Sequence, residues 1–257
     1  MTTITYTRKN TWQFLDSNGA SELTESGIEG MIGDYRDTST QTPGIPGQQV
    51  TAQDVSPMEG TLKAFIEGDE SRNAGEVWAA FRADFVRARH LDPGKLTIAT
   101  RYGTYTTEVY LNGTISIGDY NPEEEDLLEV TVPIVSDKGY FWGQEQEVTK
   151  GATIANIGDL TIYPRIHWNG DGGAVTSPSG WNFTLPAVPS ERILYLDPLE
   201  NLAVLDAEGR PDYEAMDALE LTAVSEGVPP GQKRRFILPP GAAAKFSQCY
   251  LDPWAKR

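Results

Sequence analysis

Cysteine and histidine are almost absent from this chain. Among 257 residues there is one cysteine, Cys249, and there are two histidines, His90 and His167. A lone cysteine forbids any disulfide within the chain. It also leaves no zinc-ligand spacing that two histidines could complete. No apolar run approaches the ~20 residues that a membrane-spanning helix needs. The opening MTTITYTRKN lacks the apolar centre of a secretory leader. Basic residues are scarce too: 21 Lys and Arg face 37 Asp and Glu, a formal charge of −16 at pH 7. Such a surface repels phosphate backbones and anionic membranes, which argues against nucleic-acid binding or membrane attachment as the main task. These absences point to a soluble protein folded in a reducing cytoplasm. Cys249, in the strand-like FSQCYLDPW, reads as a small buried residue.

What the chain does contain is an ordinary globular composition, 39% hydrophobic and 23% charged, with 25 Gly and 17 Pro spread along it. Dispersed turn formers among short alternating segments imply a mainly β chain. TWQFLD places Trp12 and Phe14 on one face, with a turn at SNGAS; TLKAFIEG does the same with Leu62, Ala64 and Ile66. One helix is expected in NAGEVWAAFRADFVRARHLDPG. There Val77, Trp78, Phe81, Phe85 and Val86 form a stripe, Asn73 serves as N-cap, Glu76 lies in the first turn and Arg87 and Arg89 in the last. KLTIATRYG and TYTTEVYLNGTISIG follow, with turns at Tyr102-Gly103 and Asn112-Gly113, the second a hairpin signal. After LLEVTVPIV the pattern breaks at the polar GQEQEVTKGATIANIG, and a domain boundary is placed within residues 142–150. The remainder reads as short strands, including one in ALELTAV, with turns near Asp197 and at Glu208-Gly209, as in a sandwich.

Two stretches resist this simple reading. Thr38 to Pro57 is long, polar and aperiodic, and is read as a structureless segment, either a functional arm or a mobile surface loop. In LTIYPRIHWNG a proline interrupts an alternating strand. Pro164 cannot donate to a ladder, so the strand is either an edge or presents the proline nitrogen away from its neighbour. Ile162, Pro164, Ile166 and Trp168 would then share an inward face.

Catalytic signatures are missing. No Gly-x4-Gly-Lys-Ser/Thr phosphate loop and no Gly-x-Ser-x-Gly elbow occurs. His90 reads as a surface residue at the helix C-terminus, and His167 faces solvent or a partner. Glu123, Glu124, Glu125 and Asp126 form a run best read as a solvated loop. Asn169, Asp171 and Gly172 echo part of a calcium loop, but AVTSPSG after Gly173 holds no closing glutamate. Trp142, Trp168 and Trp181 suit core packing better than sugar stacking. No catalytic residue, cofactor or metal is assigned.

Two signatures carry a family resemblance. NIGDLTIYPRIHWNG resembles the Asn-x-Gly-Asp…Pro-x-Ile strand that opens the second domain of siphophage distal tail proteins and related minor tail proteins. The matching residues are Asn156, Gly158, Asp159, Pro164 and Ile166. FILPPGAAAKFSQCYLDPWAKR is similar to the closing signature of that family, through Leu238, Pro240, Gly241, Phe246 and Trp254. The first half fits more loosely, by its early strands, polar arm, helix on a sheet and aromatic exit GYFWG.

The resemblance implies two domains. Residues 1–145 would be a β-barrel-like, ring-forming belt domain with one helix, and residues 146–257 a galectin-like β-sandwich. It further implies a structural protein of the virion tail tip, made and assembled in the host cytoplasm, that performs no chemistry. As a homohexameric ring it would join the major tail (tube) protein to a hub or fibre protein and surround the tape measure protein. DNA would pass through the lumen without specific binding, and the chain's own charge of −16 leads to the expectation that acidic side chains line it. Pro43, Gly44, Ile45, Pro46 and Gly47 are the expected subunit-interface segment of the arm. The alternatives are a lectin-like module binding a host glycan through Trp168 or Trp181, a three-fold tail-hub relative and, least favoured, a glycan hydrolase.

Overall fold

The computed structural model describes residues 2–14, 21–44, 46–69, 71–85, 92–118, 121, 124–149, 151, 153–219 and 222–256, with backbone alone over 21–26. The chain is mainly β, with antiparallel sheets and, among the described residues, two α-helices. It divides into one unit of Met1–Trp142 with Tyr250–Arg257 and a second of Gly143–Cys249.

In the first unit, β1 (Thr3–Thr7), β2 (Thr11–Gln13), β3 (Ser21–Glu29), β4 (Tyr35–Thr40), β5 (Gln49–Val55) and β6 (Met58–Glu67) precede α1 (Ala74–Phe85). Then come β7 (Gly94–Thr100), β8 (Gly103–Leu111) and β9 (Leu127–Ser136). The order β2-β1-β7-β8 forms one antiparallel array and β3-β6-β9 another. The end of β8 joins them, pairing Tyr110 with Val135 and Leu111 with Ile134 of β9. Among the described residues the strands do not close into a complete barrel; the two arrays share β8. Ser116 bridges Thr131, and Asn112 N–H donates to Pro133 O. The residues after Asn112-Gly113 therefore run onto β9 rather than folding back on β8 as a hairpin.

Helix α1 starts where its cap dictates. Asn73 Oδ1 accepts from Glu76 N–H while Glu76 Oε2 accepts from Asn73 N–H, a reciprocal capping box. Val77, Phe81 and Phe85 are buried as the stripe requires, and Trp78 packs partly buried beside them. Val86, Arg87, Arg89 and His90 lie outside the described residues. Phe81 meets Trp12 edge-on at 5.1 Å, and Phe85 stacks on Tyr6 at 4.0 Å. Such ring pairs add about 0.5–1.5 kcal/mol each beyond area burial. Buried Asp84 fixes the end of the helix to the first two strands. Its Oδ2 accepts from Asn10 N–H, Asn10 Nδ2 and Trp12 Nε1, and its backbone oxygen accepts from Tyr6 Oη and Arg8 Nη1. Burial pushes the Tyr6 phenol well above its ordinary range.

The second unit begins within β10 (Phe141–Thr149), a strand where the polar sequence suggested a break. Then follow β11 (Thr153–Ala155), β12 (Arg165–Gly170), β13 (Gly173–Thr176), β14 (Asn182–Leu185), β15 (Val188–Tyr195), β16 (Val204–Asp206), α2 (Tyr213–Leu219), β17 (Lys233–Arg235) and β18 (Ala243–Tyr250). Its main sheet runs β16-β15-β12-β18-β10, and β13-β14 and β11-β17 are small ribbons. ALELTAV is not a strand: α2 reaches Leu219, residues 220 and 221 lie outside the description, and a turn follows. Asp212 caps α2, its Oδ1 accepting from Ala215 N–H.

Ile162, Pro164, Ile166 and Trp168 are all buried on one face, as the alternation predicts. The strand is not an edge, however. β12 lies between β15 and β18, and Pro164 precedes its first ladder residue, Arg165. A proline one residue before the ladder removes no hydrogen bond from it, so a central strand tolerates it.

Candidate functional site

The segment read as a structureless arm is a β-ribbon. β4 and β5 pair antiparallel from Tyr35↔Val55 and Arg36↔Asp54 to Thr40↔Gln49, with a bulge between Thr38 and Ser39. They pair with no other strand among the described residues. Polar cross-links hold the ribbon: Thr51 Oγ1 donates to Thr38 O, Gln53 Nε2 to Asp37 Oδ1 at 2.8 Å, and Ser39 Oγ to Gln48 Oε1 at 3.1 Å. Its side chains are exposed along both faces, so neither face packs on a core. At the base, buried Met31 and Met58 flank it, and Ser56 N–H donates to Asp34 O. Six residues of strand carry it about 20 Å.

Four of the five expected arm residues are described, and they form its tip. Pro43, Gly44, Pro46 and Gly47 are exposed, whereas Ile45 lies outside the described residues. Gly44 and Gly47 take φ of 83° and 94°, left-handed values that favour glycine, and the space beside each is open. A two-stranded ribbon without a buried face is marginal in water. Its two unpaired edges offer backbone donors and acceptors to another chain.

The residues that carry the resemblance turn out to be structural pins. Asn156 is buried; its Nδ2 donates to Leu160 O and Val228 O, and its Oδ1 accepts from Gly158 N–H. Gln248 Oε1 accepts from Ile157 and Gly158 N–H, while its Nε2 donates to Ala155 O. A Cβ on Gly158 would collide with Cys249 O, which explains the glycine. Asp159 N–H donates to that same oxygen. Leu238 and Phe246 are buried core residues, and Trp254 packs partly buried against the core of the first unit.

The other candidates divide. Trp168 is 2% exposed and its Nε1 donates to Pro186 O, so it presents no ring for stacking. Trp181 is 52% exposed, its Nε1 donating to Thr222 O. Asn169, Asp171 and Gly172 lie at and beside the turn from β12 to β13. Glu124, Glu125 and Asp126 are exposed; Glu123 lies outside the described residues. Cys249 is half-buried rather than fully buried. His167 is mostly enclosed, with Nδ1 3.0 Å from Glu191 Oε1. It lines a cavity of about 180 Å³ with Glu147, Asn169, Glu191, Ala243 and Lys245. Residue patterns gave no hint of this cavity because its members are scattered over β10, β12, β15 and β18. The one available signal was the polar alternation of β12 against its apolar face.

No family model and no curated protein sequence matches the chain. Solved structures do. SPP1 Dit, described as a paradigm of hub adsorption apparatus in phages infecting Gram-positive bacteria, superposes with a TM-score of 0.66 at 13% identity. The match covers 98% of this chain and 100% of that one. Chains of the phage P2 baseplate in its activated conformation, with Ca and with Sr, match with a TM-score of 0.55 at 10% identity. They cover 96% of this chain and 98% of theirs. The fold is thus similar to that of phage Dit and baseplate proteins along nearly the whole chain.

Proposed function

We propose that this protein is a structural component of a phage tail tip, without catalytic activity, that assembles as a homohexameric ring. The observation that carries the reading is the β4–β5 ribbon, on a fold similar to Dit along nearly all its length. The ribbon buries no face of its own, and ring closure through head-to-tail contacts would cover it. In this reading residues 1–145 form the ring-forming belt and residues 146–257 a galectin-like β-sandwich, with the tip Pro43–Gly47 reaching a neighbouring subunit. The ring joins the tube protein to a hub or fibre protein, encircles the tape measure protein, and sits at the virion tail tip after assembly in the host cytoplasm. The charge of −16 suits a lumen through which DNA slides without adhering.

Native mass and negative-stain imaging of the purified chain test this directly. A six-fold ring with a central hole, lost when residues 41–48 are replaced by Asn-Gly, supports the reading. A three-fold ring moves the protein to a hub role. A ring that survives the shortened arm removes the ribbon from the interface, and a neutral or basic lumen in a resolved ring removes the proposed DNA path.

A further inference from the structure

The cavity on the polar face of the second unit's main sheet has no part in the ring reading. Its shape follows from strand register. His167 and Asn169 stand two apart on β12, Ala243 and Lys245 two apart on β18, and His167 pairs across the ladder with Ala243. The alanine and the neighbouring Gly241 leave a depression, while Glu147, Glu191 and Lys245 supply longer side chains around it. At about 180 Å³ it falls below the ~300 Å³ at which sites for drug-sized molecules begin. One small ring fits it better than an extended chain.

The side-chain chemistry narrows the occupant. A carboxylate only accepts, so the contact from Glu191 to Nδ1 places a proton on that nitrogen and leaves Nε2 as the second functional atom of the ring. Among the described residues, His167 Nε2 is the one buried side-chain nitrogen or oxygen without a hydrogen-bond partner, and a ligand reaches it only when the ring turns toward the cavity. Glu147 and Glu191 keep spare acceptor sites, Lys245 keeps ammonium donors beyond its 3.8 Å approach to Glu147, and Asn169 offers both kinds. An anion entering here would meet two carboxylates, and a cation would meet Lys245. An apolar group would cover polar side chains here without offering any of them a hydrogen bond. A neutral ring bearing several hydroxyls, each able to donate and accept, satisfies both signs without breaking the Lys245–Glu147 ion pair or the His167–Glu191 hydrogen bond.

We propose that this cavity binds a single neutral sugar residue, such as the terminal unit of a glycan. Trp168 turns its ring into the core, so no aromatic platform assists. Binding is therefore weak, on the order of millimolar for one site. In a ring, repetition of the site would raise avidity; that gain rests on the ring reading, whereas the site itself does not.

The test is an amide-resolved NMR titration of the full chain with methyl glucoside, methyl galactoside and N-acetylglucosamine. Glycerol and inorganic phosphate serve as the competing probes. The expected result is a saturable shift confined to amides around His167, Asn169, Gly241 and Ala243 with at least one sugar. Glu191→Gln should weaken it about tenfold or more, the scale of one lost charged hydrogen bond. Ala243→Leu, which fills the depression from an outward-facing position, should abolish it. Trp181→Ala should leave it unchanged. Absence of saturation with all three sugars overturns the proposal, as does an equal response to glycerol or a saturable response to phosphate. Loss of binding in Trp181→Ala with retention in Ala243→Leu moves the site to the exposed indole. Native mass of the same variants reports on the ring separately, so the two readings can fail independently.

Discussion

Two long hairpins of the first unit share a backbone plan and differ in almost everything else. In β7–β8, Leu96, Ile98, Tyr105, Thr107 and Val109 are buried on one face, and both strands pair outward, with β1 and with β9. In β4–β5 the strands pair, among the described residues, only with each other, and threonine, serine, glutamine and aspartate occupy both faces. One hairpin is held by the core beneath it. The other is held by its ladder, a few side-chain bonds and the anchorage at Met31 and Met58. The contrast separates two uses of the same element: β7–β8 builds the domain, and β4–β5 is exposed by it.

That contrast can be broken by matched substitutions. The largest effect is expected from Ile98→Ala on β7, where a fully buried side chain is cut back; the loss should be about 3–4 kcal/mol in a denaturant titration. Next comes Thr107→Val on β8. The buried hydroxyl bonds Ser136 Oγ and Tyr140 O, both at 2.8 Å, and its removal should cost about 2 kcal/mol. The same change at Thr51 on the arm should stay within about 0.5 kcal/mol, because its bond to Thr38 O is exposed. If the two threonine variants lose equal stability, the ribbon is more tightly packed than its exposure indicates. Replacing residues 41–48 by Asn-Gly should likewise leave the unfolding free energy within about 0.5 kcal/mol while removing assembly.

Acid gives the smallest effect and should touch neither hairpin. Among the described residues, the carboxylates held below their ordinary range include Asp69, chiefly by the Arg72 side chain, Asp206, chiefly by the Arg210 backbone N–H, and Asp212, chiefly by the Arg192 side chain. Glu226 is also lowered: burial, which raises it, is outweighed by bonds from Ser177 and Ser179 and the charge of Arg234. A depressed carboxylate adds stability above its unfolded value and loses it as pH falls through the folded one, so weakening starts below about pH 4. Hydrogen exchange should then rise first in β16 and α2, while β7–β8 amides keep their protection. Early loss in β7–β8 would show that acid acts through a different group.

Much of the core was legible in the sequence because burial leaves a period. Leu62, Ala64 and Ile66 alternate and are all fully buried, and the α1 stripe places Val77, Phe81 and Phe85 where the helix needs them. The arm was read as structureless for the converse reason: a ribbon with no buried face imposes no alternation. Its only local signals were β-branched residues flanking TPGIPG, Thr38 and Thr40 before it and Val50 and Thr51 after it. Helix α2 escaped because seven residues bury only Ala215 and Leu219, too few to show a stripe. The cavity around His167 depends on register between distant strands, which local spacing does not encode.

The chain visits the first unit twice. Tyr250 meets Tyr105 edge-on at 5.2 Å, Leu251 O accepts from Gly33 N–H, and Trp254 joins that same core, although all of Gly143–Cys249 lies between. On the ribosome, therefore, the first unit cannot finish when its own strands have emerged. It must wait, with Tyr105 and Gly33 uncovered, until the whole second unit has been translated. Any product cut short before Tyr250 would carry the arm on an incomplete domain, so this stitch couples competence for assembly to synthesis of the segment that closes it.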